Sequence, residues 1–357
     1  MTAAYKAPFV YFGGKRTVAH VVWERFGDAP VYAEPFAGSL AVLLGRPGWT
    51  PEHHGVETVN DKDGMVANAW RGILHDPEAT AHHADWPANE NDLHARHAWL
   101  TERRGELASR LEGDPDYFDA KVAGWWLWGM SQWIGGGFCG GDGPWVRQEV
   151  APGDWQLVHL GNAGQGVSRR LVHLGDAGQG VSRRLVHLGD AGQGELDGTG
   201  ESGLLSWLLA LAERLRRVRV CSGEWDRILT PSAMAQSIPG PRAIFLDPPY
   251  SADRAECYSE DSFEVANHVR EWAITAGRDR NHRIALCGYA GEGHDGLVAE
   301  HGWAEWGWTA HGGMSNDKGA GSGGNNERER IWFSPGCLAA RQRGLFDAVA
   351  ATEEMAP

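Results

Sequence analysis

The tetrapeptide Asp247-Pro248-Pro249-Tyr250 follows directly on the apolar run Ala243-Ile244-Phe245-Leu246. Open α/β sheets place ligands just beyond the carboxyl ends of such strands. Two prolines in series stiffen a turn and remove backbone donors, so the Pro248 carbonyl becomes an acceptor beside the Asp247 carboxylate. Two acceptors next to an aromatic ring suit an amino group on a flat base. The lone pair of such an amine is delocalised into its ring, which makes it a poor nucleophile. Hydrogen bonds accepted from its two N–H groups leave the nitrogen richer in electrons as it attacks, and Tyr250 would stack on the base and hold it in line. A Pro-rich turn closing a strand is the plain structural alternative.

Two further segments could serve a cofactor. Ala33-Glu34-Pro35-Phe36-Ala37-Gly38-Ser39 reads as a strand-to-helix turn with a glycine where a ligand could approach the backbone closely, although it is not G-x-G-x-x-G. Asn60-Asp61 ends the next apolar run, 23 residues beyond Gly38. At that place nucleotide-binding βαβ units carry an acid for ribose hydroxyls. Upstream, Phe9-Val10-Tyr11-Phe12-Gly13-Gly14-Lys15-Arg16 offers backbone N–H groups and one cation to a carboxylate or phosphate, without the spacing of a P-loop.

In this order, these segments resemble the DNA adenine methyltransferases of the Dam type, the α-ordered amino-methyltransferases, over about 1–78 and 216–335. In that family an F/Y-x-G-G-K element precedes E-P-F-x-G-S, an N-D pair closes the second strand, a target-recognition insert follows, and D-P-P-Y comes after it. Leu286-Cys287-Gly288-Tyr289 and Asn326-Glu327-Arg328 resemble later family elements. The resemblance implies S-adenosylmethionine as cofactor. Glu34, Phe36, Gly38 and Ser39 would line its pocket, Asp61 would bind its ribose, and Tyr11, Gly14 and Lys15 would contact its methionine part. Asp247, Pro248, Pro249 and Tyr250 would hold an adenine flipped out of double-stranded DNA, with Asp247 also bordering the cofactor. Gly223-Glu224-Trp225 resembles a G-D-W or G-D-F element beside the cofactor's adenine; Glu in place of Asp leaves the role of Glu224 open.

The implied reaction is direct methyl transfer to adenine N6. Three alternatives remain beside it: N4-cytosine methylation, whose motif usually begins with Ser; RNA base methylation; and a DNA-binding module without catalysis. No nuclease motif is visible, so the resemblance leaves two settings, the modification half of a restriction-modification pair with a cognate endonuclease, or an unpaired enzyme of phage or bacterial origin.

The elements that must position these residues alternate. A strand at Val31–Ala33, a helix at Leu40–Leu44 and a strand at Gly55–Asn60 make a βαβ pattern. Leu204–Leu215 has helical apolar spacing, Arg219–Cys221 reads as a strand, and Phe263–Thr275 as a helix with Asp261 and Glu264 at capping-box spacing. Strands follow at Arg283–Tyr289, Trp303–Trp308 and Arg330–Phe333. The expectation is an α/β, Rossmann-like methyltransferase sheet built from 1–79 and 216–335, enclosing a mainly helical target-recognition insert at 80–215, with a C-terminal tail at 336–357.

The insert holds a charged helix near Thr101–Leu111, a Trp-dense stretch from Trp125 to Trp133 expected in the core, and a repeat of 14 residues across 157–194. Arg169, Arg170, Arg183 and Arg184 in the repeat form a basic strip suited to DNA phosphates; a surface loop of variable length is the alternative. The tail segment Gln342-Arg343-Gly344-Leu345-Phe346 resembles the short peptides that dock on bacterial sliding clamps.

Composition limits the remaining choices. The 357 residues carry a net charge of −14, so nucleic acid must be met by a local patch rather than a global field. Five scattered cysteines lack C-x-x-C or zinc-finger spacing, which points to a reducing compartment and no metal site. No signal-like start and no long apolar run are present, so the expectation is a soluble cytoplasmic protein with no membrane partner.

Overall fold

The computed structural model describes residues 5–9, 11, 15–52, 55–133, 138–139, 145–151, 154–159, 203–249, 261–308 and 329–339. Gly14, Tyr250, the four repeat arginines, Asn326-Glu327-Arg328 and the segment Gln342–Phe346 lie outside the described residues.

A 3-10 turn at Lys15–Thr17 leads into α1 (Ala19–Phe26), β1 (Val31–Glu34), α2 (Ala41–Leu44), β2 (Val56–Asp61) and α3 (Gly64–His75). Three more helices follow, α4 (Pro77–Ala84), α5 (Glu90–Gly113) and α6 (Ala120–Gln132), then the strands β3 (Trp145–Ala151) and β4 (Asp154–His159). The remaining elements are α7 (Gly203–Leu215), β5 (Val218–Ser222), β6 (Arg242–Leu246), α8 (Asp261–Ala276), β7 (His282–Tyr289), α9 (Asp295–His301), β8 (Ala304–Gly307) and β9 (Glu329–Phe333).

Seven strands form one sheet in the order β5-β2-β1-β6-β7-β9-β8. The first five are parallel, with Val31 opposite both Val56 and Arg242, while β9 runs antiparallel to β7 and β8. Counted by chain order within this sheet, the arrangement matches the doubly wound 3-2-1-4-5-6 order with one reversed strand, β9, inserted before the last. The molecule is thus a mixed α/β protein with a mostly parallel sheet, compatible with a Rossmann-like fold.

Both faces of the sheet are covered, which is why the central strands read as unbroken apolar runs. Tyr32, Phe245, Cys287 and Phe333 point into one buried cluster with α1 to α7; Ala33, Ile244, Leu246 and Trp332 point into the other, with Val269 and Ala273 of α8 and Leu297 of α9. Helix starts are fixed by side-chain caps: Asp63 for α3, Asp76 ahead of Pro77 for α4, Asn89 for α5 and Asp119 for α6. Each such cap contributes about 1 kcal/mol.

The helices between β2 and β5 share the core of the sheet. Phe9, in the N-terminal segment, packs edge-on against Trp126 of α6 at 4.9 Å and meets Trp70 of α3 at 5.3 Å. Trp126 and Trp128 are buried, as expected of the Trp-dense stretch. The boundary read at residue 80 falls inside α4, and the one at 215 coincides with the end of α7. The charged helix extends back to Glu90, because His94, Arg96 and His97 take buried positions where the sequence suggests solvent. Besides helices, the region contains the antiparallel pair β3 and β4, whose second strand ends with the first residues of the repeat.

An internal charge network ties α7 to β2 and to the end of α2. Arg214 of α7 reaches both Glu57 carboxylate oxygens, at 2.7 and 3.1 Å, and donates to the Leu43 carbonyl. Arg46 meets the same carboxylate at 3.1 Å, and all three side chains are buried. Among the described residues no helix is long and apolar enough to cross a membrane.

Candidate active site

The chain leaves β1 toward β2 and β5 on one side of the sheet, then resumes at β6 and continues toward β7 on the other. Order reverses between β1 and β6, and the carboxyl ends of strands around such a reversal form the crevice where ligands sit. Glu34, Asp61, Ser222 and Asp247 all lie at this edge, at or just past the ends of β1, β2, β5 and β6. Lys15 joins them from the N-terminal turn. A surface cleft of about 320 Å³ lined by Ile274, Arg278, Glu300 and Trp303 lies elsewhere, and none of the candidate residues lines it.

Asn60 and Asp61 tie three loops together. The Asn60 side-chain amide donates to the Pro35 carbonyl at 3.2 Å and to the Gly223 carbonyl at 2.9 Å, while the Asn60 backbone carbonyl accepts from the Ala37 backbone N–H. Asp61 accepts from the Gly38 backbone through Oδ2 at 2.8 Å and from the Asp63 backbone through Oδ1 at 2.9 Å. A carboxylate has about four acceptor positions, so capacity for two hydroxyl donors is left. Burial, with Asp63 nearby, pushes the Asp61 carboxyl up to about 7, against the two backbone donors that lower it.

Gly38 is required where it stands. Its φ is +44°, and a Cβ there would lie 2.7 Å from Cδ1 of Tyr11, whose ring rests on the glycine backbone. The Gly38 carbonyl accepts from the Trp70 indole at 2.8 Å, and Leu40 also takes a positive φ of 53° as the chain turns into α2. The turn is a cradle with a backbone floor, closed over Gly38 by the Tyr11 ring.

Glu34 is 2% exposed and accepts from the Tyr32 hydroxyl at 2.8 Å on the same face of β1. Burial pushes its carboxyl up to about 8, opposed by Tyr32 and a backbone donor and reinforced by Asp247. Lys15, 4% exposed, pairs with Asp247 at 3.1 Å and lies 5.8 Å from the ring centre of Trp308. Burial works against its charge, but Asp247, with Cys287 and Glu329, holds the ammonium well above the ordinary lysine range. Pro248 is buried and Pro249 half-buried directly after Asp247.

Phe36 and Trp225 stand nearly parallel, 19° apart with centroids at 6.3 Å, and Trp272 closes edge-on against Trp225. Ser39 is half-buried beside Gly38. Glu224 is exposed and pairs with the similarly exposed Lys62 at 2.8 Å.

The site residues that can be checked therefore converge: Tyr11, Lys15, Glu34, Phe36, Gly38, Ser39, Asp61, Trp225 and Asp247 share one edge of the sheet. Gly14 and Tyr250 lie outside the described residues. Sequence reasoning overlooked Tyr32, the two-loop bridge made by Asn60, and Trp70. A buried amide at a strand end was the signal for Asn60, since such a group must find partners. No family model matches this chain, and no curated protein is significantly similar to it.

Proposed function

We propose that this chain is a site-specific DNA methyltransferase that moves a methyl group from S-adenosylmethionine to adenine N6 in double-stranded DNA. The observation that carries the reading is the meeting of Asp61, Glu34 and the Gly38 cradle with Asp247-Pro248-Pro249 across the β1/β6 switch point. Nucleotide-binding and amine-binding residues come to one crevice from segments far apart in sequence.

The residues fit the cofactor. Glu34 and Asp61 supply carboxyl acceptors for a molecule bearing a sulfonium and an ammonium, the Asp61 carboxylate suits ribose hydroxyls, and the Phe36 and Trp225 rings suit an adenine. When bound, S-adenosylmethionine supplies an electrophilic methyl group. Asp247 and the Pro248 carbonyl accept hydrogen bonds from the target amine, raising electron density at N6, and Tyr250 stacks on the base. The amine must leave the duplex to reach them, so the helices and strands between β2 and β5, with the repeat arginines, form the target-recognition region on this reading.

Asp247→Ala separates an enzyme from a silent binder. The substituted chain is expected to keep its affinity for DNA while methyl transfer falls to background. Equal transfer by both proteins would overturn the proposal.

A further inference from the structure

The resemblance assigns Lys15 to the methionine part of the cofactor, yet its ammonium lies 3.1 Å from Oδ2 of Asp247. We propose that Lys15 is a positioning residue for catalysis, holding the Asp247 carboxylate ionised and oriented to accept from the target amine. This rests on the methyltransferase reading above and adds a residue to it.

The argument is one of charge. Glu34 at the end of β1, Cys287 in β7 and Glu329 in β9 lie around the Lys15–Asp247 pair, and burial holds Glu34 and Cys287 toward their neutral forms. Lys15 is the cation set among them, from the turn that precedes α1, with its side chain 4% exposed. Poor solvation favours the neutral form of a carboxyl, and a protonated carboxylic acid turns one of its oxygens from acceptor to donor. An amine attacking carbon needs acceptors on its N–H groups, so a protonated Asp247 would withdraw the help it exists to give. A buried ammonium at 3.1 Å opposes that protonation and fixes the carboxylate by a charge-assisted bond. The same pairing accounts for the raised basicity of Lys15, against the effect of burial.

The test compares Lys15→Met and Lys15→Arg in the full chain, following kcat against pH at saturating cofactor and duplex DNA, with cofactor affinity measured by calorimetry. Lys15→Met is expected to move the acid limb of the profile upward by about one to two pH units, and to leave cofactor affinity within about threefold. Lys15→Arg is expected to restore the limb. An unmoved limb, or lost cofactor affinity without a limb shift, would overturn the inference and return Lys15 to the cofactor.

If the wild-type chain transfers no methyl group, the methyltransferase reading fails by itself. Carbon-13 NMR of labelled aspartate carboxyls still decides the role of Lys15. The signal that disappears in Asp247→Asn must titrate at higher pH in Lys15→Met; a signal that does not move rejects the inference.

Discussion

The backbone amide of Gly38 donates to the Asp61 carboxylate at 2.8 Å, so the turn after β1 and the end of β2 are held as a single unit. The bond joins a glycine in a positive-φ conformation to an acid 23 residues later. Neither residue is useful alone. Together they form a rigid floor with acceptor capacity in reserve.

On the proposed reading, cofactor binding is pH-dependent. The Asp61 carboxyl, raised to about 7, gains a proton as pH falls through that value, and the protonated form is the poorer acceptor for ribose hydroxyls. Affinity for S-adenosylmethionine is expected to weaken as pH drops below about 7, with a proton released on binding near neutrality. Calorimetry in buffers of different ionisation enthalpy measures both. Asp61→Asn should bind more weakly at high pH and lose the step; a step that persists in that variant would contradict the assignment.

Glu34 gives a stability prediction of defined sign. Its folded value of about 8 lies above the ordinary 4.5, so the folded chain binds more protons than the unfolded chain between these values. Stability from this group is therefore present below about 4.5 and lost as pH rises toward 8. Glu34→Gln should flatten the decline in melting temperature of the cofactor-free protein across that window, and an unchanged slope would contradict the cause given.

Gly38→Ala tests the cradle. A left-handed conformation costs a residue with a Cβ about 1–2 kcal/mol, and the added carbon would also press on Tyr11. Cofactor affinity is expected to fall by about tenfold or more, since about 1.4 kcal/mol is a factor of ten, while melting temperature shifts only a few degrees. Retained affinity would mean that no ligand rests on this turn.

Glu57→Ala addresses the fold rather than the site. It would leave the Arg46 and Arg214 guanidinium groups buried without their shared carboxylate. Breaking such a buried pair typically costs about 3–5 kcal/mol, measurable as a shift in denaturant midpoint. Replacing all three with apolar residues should recover most of the loss. A cost below about 1 kcal/mol for Glu57→Ala would show that the network carries little of the stability.

The candidate site was largely legible in the sequence because its parts are local words. Glu34 to Ser39 and Asp247 to Pro249 each join a buried strand to a turn, and strand ends are where sheets expose chemistry. The Lys15 contact with Asp247 was not legible, since it depends on β1 and β6 becoming neighbours. Helix α5 was only half visible: Leu93, Leu100, Leu107 and Leu111 are buried along it, but its first half also buries His94, Arg96 and His97, which carry no apolar signal. Arg96 is accommodated there by the rings of Trp86, Trp125 and Trp128, at 4.8, 4.8 and 4.5 Å. The β3–β4 pair had a turn signal in Pro152-Gly153 between two strand-like runs, and the neighbouring glycines and repeat obscured it.

The most direct measurement is transfer of labelled methyl from S-adenosylmethionine to unmodified duplex DNA, followed by digestion to nucleosides and mass spectrometry. The account predicts N6-methyldeoxyadenosine from the wild-type chain and none from Asp247→Ala. N4-methyldeoxycytidine would keep the amine chemistry and change the base. A methylated nucleoside found only with RNA, or no product despite cofactor binding, would contradict the central claim.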